Sequence, residues 1–488
     1  MKLYSAEQSQ RLDQIAMTDF GIPGLLLMKR AAYSAFQQLL QRWPETESLY
    51  VVCGTGNNGG DGLMLAQYAL IHGLDVKVSL IGSPEKLKAD ARNGYQALLD
   101  LQLDCGAFNA EYAEQADVVV DALFGTGLNS EVTGKFAAII QSLNALATPV
   151  LSLDIPSGID ATTGSVLGTA IQADMTVTFI CQKTGLWTGN GADHLGDVVL
   201  CDLKLTNTLY QRLPPKATSH SLAYWQAKRP ANAKTDHKGK RGTLCLAGGN
   251  HSMAGAIQLA AHAGLKAGAG LLKVISQPEH LSGLTHAVPE LMCHPSEDFK
   301  PILASAQALA IGPGLGQDEW AQSLFNQAMT WQLETQGKMV IDADGLKLLA
   351  QNPTRIPPQP NWVLTPHPGE AAALLGTTTD AIQQDRFKAI EALQQRFGGV
   401  VVLKGNGTLI HDGHRMEICP LGNAGMAVGG MGDVLTGIIA SYLGQGMPLF
   451  DAACLGVYRH AAIADAYIID KAPASLTPSD LIAGLDYE

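Results

Sequence analysis

Short apolar runs recur along this chain, separated by longer stretches whose apolar residues return with helical spacing. In the first half the runs fall at residues 49–53, 76–81, 118–121, 149–154, 176–179 and 198–201. Uniformly apolar runs bounded by Gly, Pro and Asp are the pattern of strands buried on both faces. Segments 94–101 and 135–146 between them carry helix-spaced apolar residues, and 6–18 and 23–41 ahead of them read as two more helices. Such alternation predicts a parallel α/β sheet with helices on both faces.

From residue 206 to residue 241 the pattern lapses. Tyr210-Gln-Arg-Leu-Pro-Pro-Lys and the basic, proline-bearing segment from Lys228 to Arg241 mark a linker and a loop leading into a second series. That series has apolar runs at 242–247, 272–276, 308–311, 339–342, 362–364, 400–403 and 408–411. The expected architecture is two fused α/β domains, residues 1–215 and 216–488. Each is long enough to bury its own core.

Composition narrows what such a chain can do. Against 33 Lys and Arg stand 45 Asp and Glu, a formal net charge of −12. Non-specific nucleic-acid binding and anionic membranes both want basic surface, so neither is expected. The eight cysteines stand singly with no C-x-x-C pair, which suits reduced thiols in a cytoplasmic protein. The first residues resemble no secretory signal, and no apolar run is long enough for a membrane span.

The most informative polar interruption is GTGNNGGDG at 54–62, directly after the first run. A strand, a glycine turn and a helix, read as starting near Leu63, offer backbone N–H groups and a positive dipole end to phosphate. Glycine also lets a ligand approach closely. Gly54, Gly56 and Gly59 satisfy G-x-G-x-x-G. The second strand, however, ends in Gly82-Ser83-Pro84, not in the acid with which a dinucleotide oxidoreductase holds ribose. Asn57, Asn58 and Asp61 supply more polar oxygens than a phosphate requires. Asp121 and Asp154 end two further strands, before Gly125-Thr126-Gly127 and Pro156-Ser157-Gly158. Either acid alone could cap a helix. Three such strand ends together converge on one crevice, where hard oxygen donors suit an alkali or alkaline-earth cation better than zinc.

In the second half the sharpest cluster is Gly429-Gly430-Met431-Gly432-Asp433, ahead of an apolar helix expected at 434–443. N–H groups at that helix start would face a transferring phosphoryl group, with Asp433 placed to take a hydroxyl proton. The simpler alternative is a close-packed glycine turn with Asp433 as the cap. No G-x-x-x-x-G-K-[ST] is present, which excludes a P-loop. Two prolines flank His367 at a strand end, Lys404-Gly405-Asn406-Gly407-Thr408 joins two strands, and Gly312-Pro313-Gly314 ends another. His411-Asp412-Gly413-His414 reads as a hairpin turn, and Asp342-Ala343-Asp344-Gly345 lacks the spacing of an EF-hand.

GTGNNGGDG, VVVDALFGTGL, LDIPSGID and the segment from Ala173 to Leu186 resemble, in order and spacing, the NAD(P)H-hydrate epimerase domain. The resemblance implies a Rossmann-like parallel-sheet domain. In it Asn57, Asn58, Gly59, Gly60, Asp61, Gly125, Thr126, Gly127, Leu128, Asn129, Ser130, Glu131 and Asp154 would contact the hydrated nicotinamide nucleotide. Asp154 would assist as the C6 hydroxyl inverts, and Asn58, Asp121 and Ser157 would hold K+. Met28-Lys29-Arg30-Ala31-Ala32 departs from the family, which usually shows an acid after Met and Ala-Gly at the end. That departure bears on subunit packing.

The motifs from Gly248 to Ala256, GPGLG, TPHPGE, KGNGT and GGMGD resemble the ADP/ATP-dependent NAD(P)H-hydrate dehydratase domain of the ribokinase-like fold. By that resemblance Ala256, Gly314, His367 and Asp433 meet the hydrate. Lys404, Gly405, Asn406, Gly407, Thr408 and Gly432 meet ADP or ATP, which carries Mg2+. The nucleotide phosphorylates the hydrate hydroxyl, and elimination of phosphate restores the dihydropyridine ring, releasing AMP if ADP is used. The expected protein is a cytoplasmic bifunctional repair enzyme for NADHX and NADPHX, with further copies of itself as partners. Two other readings stay open: a ribokinase-like small-molecule kinase with a regulatory N-terminal domain, and a non-catalytic nucleotide sensor.

Overall fold

The structure is a computed structural model that describes residues 1–231, 234–235, 237–351 and 356–486. The chain divides into two compact units, Met1–Thr218 and Ser219–Glu488. The segment 228–241 expected to lead into the second series lies partly outside the described residues.

In the first unit seven parallel strands lie in the order Cys105–Gly106, Asp75–Leu80, Ser48–Cys53, Val118–Ala122, Val150–Leu153, Met175–Phe179, Asp197–Cys201. Each apolar run expected here as a strand forms one. Alternate residues explain why the runs are apolar throughout. Leu49, Val51 and Cys53 join the core on one face, and Tyr50 and Val52 the core on the other. Strand order reverses at Ser48–Cys53, so a crevice opens beyond the carboxyl ends of that strand and Val118–Ala122. The short strand Lys2–Tyr4 pairs with Ala217–Thr218 and with Gln182–Lys183. Helix Ala6–Thr18 follows it, started by a capping box between Ser5 and Gln8.

One expectation needs correction. The helix after strand Ser48–Cys53 spans Asn57–His72 and begins inside the glycine motif, not near Leu63. Glycine is a poor helix former, but here packing decides. A Cβ on Gly62 would lie 2.5 Å from the Ala122 Cβ, and one on Gly59 would lie 1.8 Å from the Gly54 carbonyl oxygen. These glycines press the helix onto the sheet, whereas Gly56 faces open space. Most of the motif therefore serves internal packing, and only part of it ligand approach.

Among the described residues of the second unit seven parallel strands lie in the order Met292–His294, Leu271–Ile275, Thr243–Ala247, Ala308–Ile311, Lys338–Ile341, Trp362–Leu364, Val400–Leu403. The antiparallel strands Thr408–His411 and Met416–Cys419 follow as a hairpin. Its turn is the one expected at Asp412-Gly413: the Asp412 carboxylate accepts the N–H groups of His414 and Arg415. Strands Met292–His294 and Met416–Cys419 were not anticipated, since each is too short to give a period. The buried helix Met431–Gly444 packs so closely on helix Ala254–Lys266 that a Cβ on Gly437 would meet the Ala260 carbonyl at 2.0 Å. All eight cysteines are free thiols. Among the described residues no helix is long and apolar enough to cross a membrane.

Candidate active sites

In the first unit a cavity of about 740 Å³ occupies the crevice. Asn57, Asn58 and Asp61 line it from the helix start, Gly125, Thr126, Gly127, Leu128, Asn129 and Ser130 from the second strand end, and Asp154 from the third. Gly59 and Gly60 turn instead toward Gly54 and Met28, and Glu131 is exposed and off the cavity wall.

Asp154 follows strand Val150–Leu153 with φ +68°, a left-handed conformation uncommon for a residue with a Cβ. Its N–H donates to the Val177 carbonyl at 2.7 Å. The carboxylate accepts a short hydrogen bond from Lys183 Nζ. Lys183 is buried, and its ammonium also donates to Thr178 Oγ1 and the Phe179 carbonyl, both at 2.9 Å. Three acceptors thus meet its three protons. Burial works to lower the Lys183 pKa, but the Asp154 carboxylate outweighs it and holds the ammonium above its ordinary range.

Two further carboxyls line the same cavity. Asp13, from helix Ala6–Thr18, is pushed up to about 6 by burial and by Asp154, against the pull of Lys183. Burial, with Asp154 and Asp13 adding to it, pushes Asp61 well above the carboxylate range. Three carboxyls around one ammonium cannot all ionise cheaply, so the cluster can both give and take a proton near neutral pH.

Beneath the cavity Asp121 is fully buried. It accepts from Ser152 Oγ (2.9 Å), Ser157 N (2.8 Å), Ser157 Oγ (2.6 Å) and Leu123 N (3.2 Å). It caps no helix: the next one starts at Gly134 with Thr133 as its cap. Asn58 donates Nδ2 to the Phe124 carbonyl at 2.7 Å, while its buried Oδ1 has no hydrogen-bond partner. An orphaned buried acceptor costs about 1–3 kcal/mol. Hard oxygens gathered round such an acceptor fit an alkali cation.

In the second unit the strand ends again carry the chemistry. Asp342, after strand Lys338–Ile341, is buried. It accepts from Lys404 Nζ, Thr365 Oγ1 and Thr436 Oγ1, each at 2.8 Å. Lys404 Nζ also lies 3.7 Å from Glu370 Oε2. Gly432 stands over this pair, so close that a Cβ there would be 3.3 Å from Lys404 Nζ. Asp433, beside it, is pushed up to about 7 by burial and then by Asp342, although Lys404 pulls the other way. The helix cap is Gly430 at φ +97°, not Asp433, which leaves the carboxyl in the first helical turn.

His367 starts helix Pro368–Leu375. Its Nδ1 accepts the N–H groups of Gly369 (3.0 Å) and Glu370 (3.3 Å), and Glu370 Oε2 accepts the His367 N–H at 2.9 Å. An accepting Nδ1 puts the ring proton on Nε2. Gly314, at φ +56°, abuts Ala256: a Cβ there would lie 3.1 Å from the Ala256 Cβ. Loop Lys404–Thr408 links the strands Val400–Leu403 and Thr408–His411.

The sequence reading assigned no role to Asp13, Lys183, Asp342 or Glu370. Asp342 carries the signal used for Asp121 and Asp154, an acid closing an apolar run, and could have been found by it. Asp13 carries no such signal. Among the described residues no three His, Cys, Asp or Glu side chains are grouped to hold a metal ion.

Comparison with known proteins covers both units. Residues 244–485 match the NAD(P)H-hydrate dehydratase family, and residues 24–185 match the family described as YjeF-related protein N-terminus. The bifunctional NAD(P)H-hydrate repair enzyme Nnr of Coxiella burnetii is 41% identical over 490 residues, spanning 99% of this chain and 98% of the relative. The enzyme of the same name from Escherichia coli is 38% identical, over 99% and 93%. Among solved structures, an ADP/ATP-dependent NAD(P)H-hydrate dehydratase from Bacillus subtilis, co-crystallised with ATP and Mg2+, matches with TM-score 0.50 and 28% identity. That match covers 55% of this chain and 96% of that one. A ribokinase-like superfamily protein from Enterococcus faecalis matches with TM-score 0.51 and 28% identity, over 55% and 94%.

Proposed function

The chain belongs to the bifunctional NAD(P)H-hydrate repair enzymes, and from that premise we propose how its residues divide the work. The first unit interconverts the R and S hydrates. The nucleotide lies in the crevice over the N-terminus of helix Asn57–His72, with its phosphate toward the N–H groups of Asn57 and Asn58. Asp154, held by Lys183, takes the C6 hydroxyl proton as the C6–N1 bond opens to an aldehyde, while a protonated carboxyl of the cluster gives a proton to N1. Reclosure of N1 on the other face of the carbonyl returns both protons and inverts C6. The observation that carries this reading is the left-handed Asp154 at the cavity wall, bonded to a buried lysine. Asn58, Asp121 and Ser157 would hold K+, whose charge would satisfy Asn58 Oδ1 and stiffen the turn after strand Val118–Ala122.

The second unit dehydrates the S hydrate at the expense of ADP or ATP bound with Mg2+. Ala256, Gly314 and His367 contact the hydrate. Asp433 takes the C6 hydroxyl proton as that oxygen bonds to the terminal phosphorus and the nucleotide leaves, as AMP when ADP is used. Phosphate then departs with the C6–O electron pair while the neighbouring carbon loses a proton, restoring the ring double bond. Loop Lys404–Thr408 and Gly432 hold the nucleotide. An Asp433 carboxyl poised near neutrality beside Lys404 supports its use as the base.

The test incubates mixed R and S NADPH hydrate with ADP or ATP, Mg2+ and K+. Wild type converts all of it, Asp154→Ala stops near the S fraction apart from spontaneous epimerisation, and Asp433→Ala blocks dehydration. Full conversion by both variants would overturn the assignment. A stable phosphorylated product, without recovery of reduced-nicotinamide absorbance, would favour the kinase reading instead.

A further inference from the structure

We propose that Arg386 is a positioning residue of the dehydratase half: from behind loop Lys404–Thr408 it holds the carbonyls back and so presents the loop's N–H groups to the nucleotide. The inference rests on the reading that this loop takes the nucleotide.

Arg386 is the first residue of helix Arg386–Phe397 and is buried, with only 1% of its surface exposed. Its Nη2 donates to the Leu403 carbonyl at 3.1 Å and the Gly407 carbonyl at 3.4 Å. Its Nη1 donates to the Lys404 carbonyl at 3.3 Å and to Gln383 Oε1 at 3.2 Å. One planar fork therefore gathers three carbonyls from a single turn. In a trans peptide the C=O and the following N–H point in opposite directions. With the carbonyls of Lys404 and Gly407 turned back to Arg386, the N–H groups of Gly405 and Thr408 point away from it. Gly405 and Asn406 are exposed. Gly405 at φ +138° and Gly407 at φ +60° allow the reversal. Two N–H groups turned one way from a single glycine turn can meet phosphate oxygens.

Burial lowers the guanidinium pKa to about 10, so the group stays charged at neutral pH but at a cost. A hydrophobic side chain of similar volume would fill the space without that cost. It would not order three carbonyls. Lysine would not either, because its ammonium is a point charge without the planar fork.

The test uses the full-length protein and measures dehydration of the S hydrate against ADP concentration in Arg386→Lys and Arg386→Met. Methionine fills the same space without a buried charge but gives the three carbonyls no donor. Both variants should raise KM for ADP about 10-fold, the size of one charge-assisted hydrogen bond. The KM for the hydrate, kcat at saturating ADP and the epimerase rate should stay within about twofold of wild type. An unchanged KM for ADP, or a parallel loss in every parameter, would overturn the role. If Arg386→Lys does not fold, Arg386→Met, which buries no charge, decides alone. Hydrogen exchange of residues 404–408 separates the two levels of the argument. No protection by ADP in wild type overturns the nucleotide reading and this inference together. Protection in wild type with unchanged KM in the variants overturns only the role of Arg386.

Discussion

Replacing Asp433 by asparagine should stabilise the second unit while abolishing dehydration, and the size of the gain should depend on pH. The Asp433 carboxyl moves from 3.8 to about 7 on folding, first because it is buried and then because Asp342 is near. A gap of about 3 pKa units corresponds to about 4 kcal/mol, and partial access to water and coupling to Lys404 reduce the expectation to about 2–4 kcal/mol. The folded-state pKa lies above the unfolded one. Between roughly pH 4 and pH 7 the folded chain therefore keeps a proton that the unfolded chain releases. Stability falls as pH rises through that window and levels off above it. The variant carries no ionisable group there and escapes the loss. The assay is urea unfolding read by hydrogen exchange of helix Met431–Gly444, which reports the second unit alone. At pH 8 Asp433→Asn should exceed wild type by about 2–4 kcal/mol, and the gap should narrow by up to about 1.4 kcal/mol per pH unit below 7. Wild-type dehydration should fall in the same range, as the base becomes protonated. A gap indifferent to pH between 5 and 8, or a variant that still dehydrates, would rule out Asp433 as a buried base of raised pKa.

Three further outcomes test the first unit. Lys183→Met removes the cation that holds down Asp13 and Asp61, so both carboxyls keep their protons to higher pH. The epimerase pH profile should move upward, and an unmoved profile would count against the cluster. Exchanging K+ for Li+ or choline should slow epimerisation in wild type, spare dehydration, and make no difference in Asn58→Leu; a rate blind to the cation removes the K+ assignment. Gly59→Ala would set a Cβ 1.8 Å from the Gly54 carbonyl. It should destabilise the first unit by roughly 2–4 kcal/mol, and a loss below about 0.5 kcal/mol in denaturant unfolding would show that the helix can shift freely.

Some of this protein is legible along the chain and some is not. The strands were visible because residues such as Tyr50 and Val51 point to opposite faces and both faces are buried, which forces unbroken apolar runs. The glycine motif was visible too, but its helix boundary was not. Propensity argues against helix at residues 57–62, and contacts with Ala122 and Gly54 overrule it. Asp342 could have been found by the same strand-end signal as Asp154.

Asp13 and Arg386 differ in kind. In sequence each is one charged residue on an amphipathic helix, indistinguishable from a solvated one. Strand Lys2–Tyr4, paired beside Gln182–Lys183, is followed by the helix that sets Asp13 at the cavity with Lys183. The fold also brings Arg386 under a turn from the far end of its helix and strand. The order of residues was enough to locate the longer buried strands, the ligand-facing turns after them and the family those turns resemble, because these properties are local and periodic. Tertiary structure alone decided which charges are buried together, because desolvation and pairing depend on distances that the chain order does not contain.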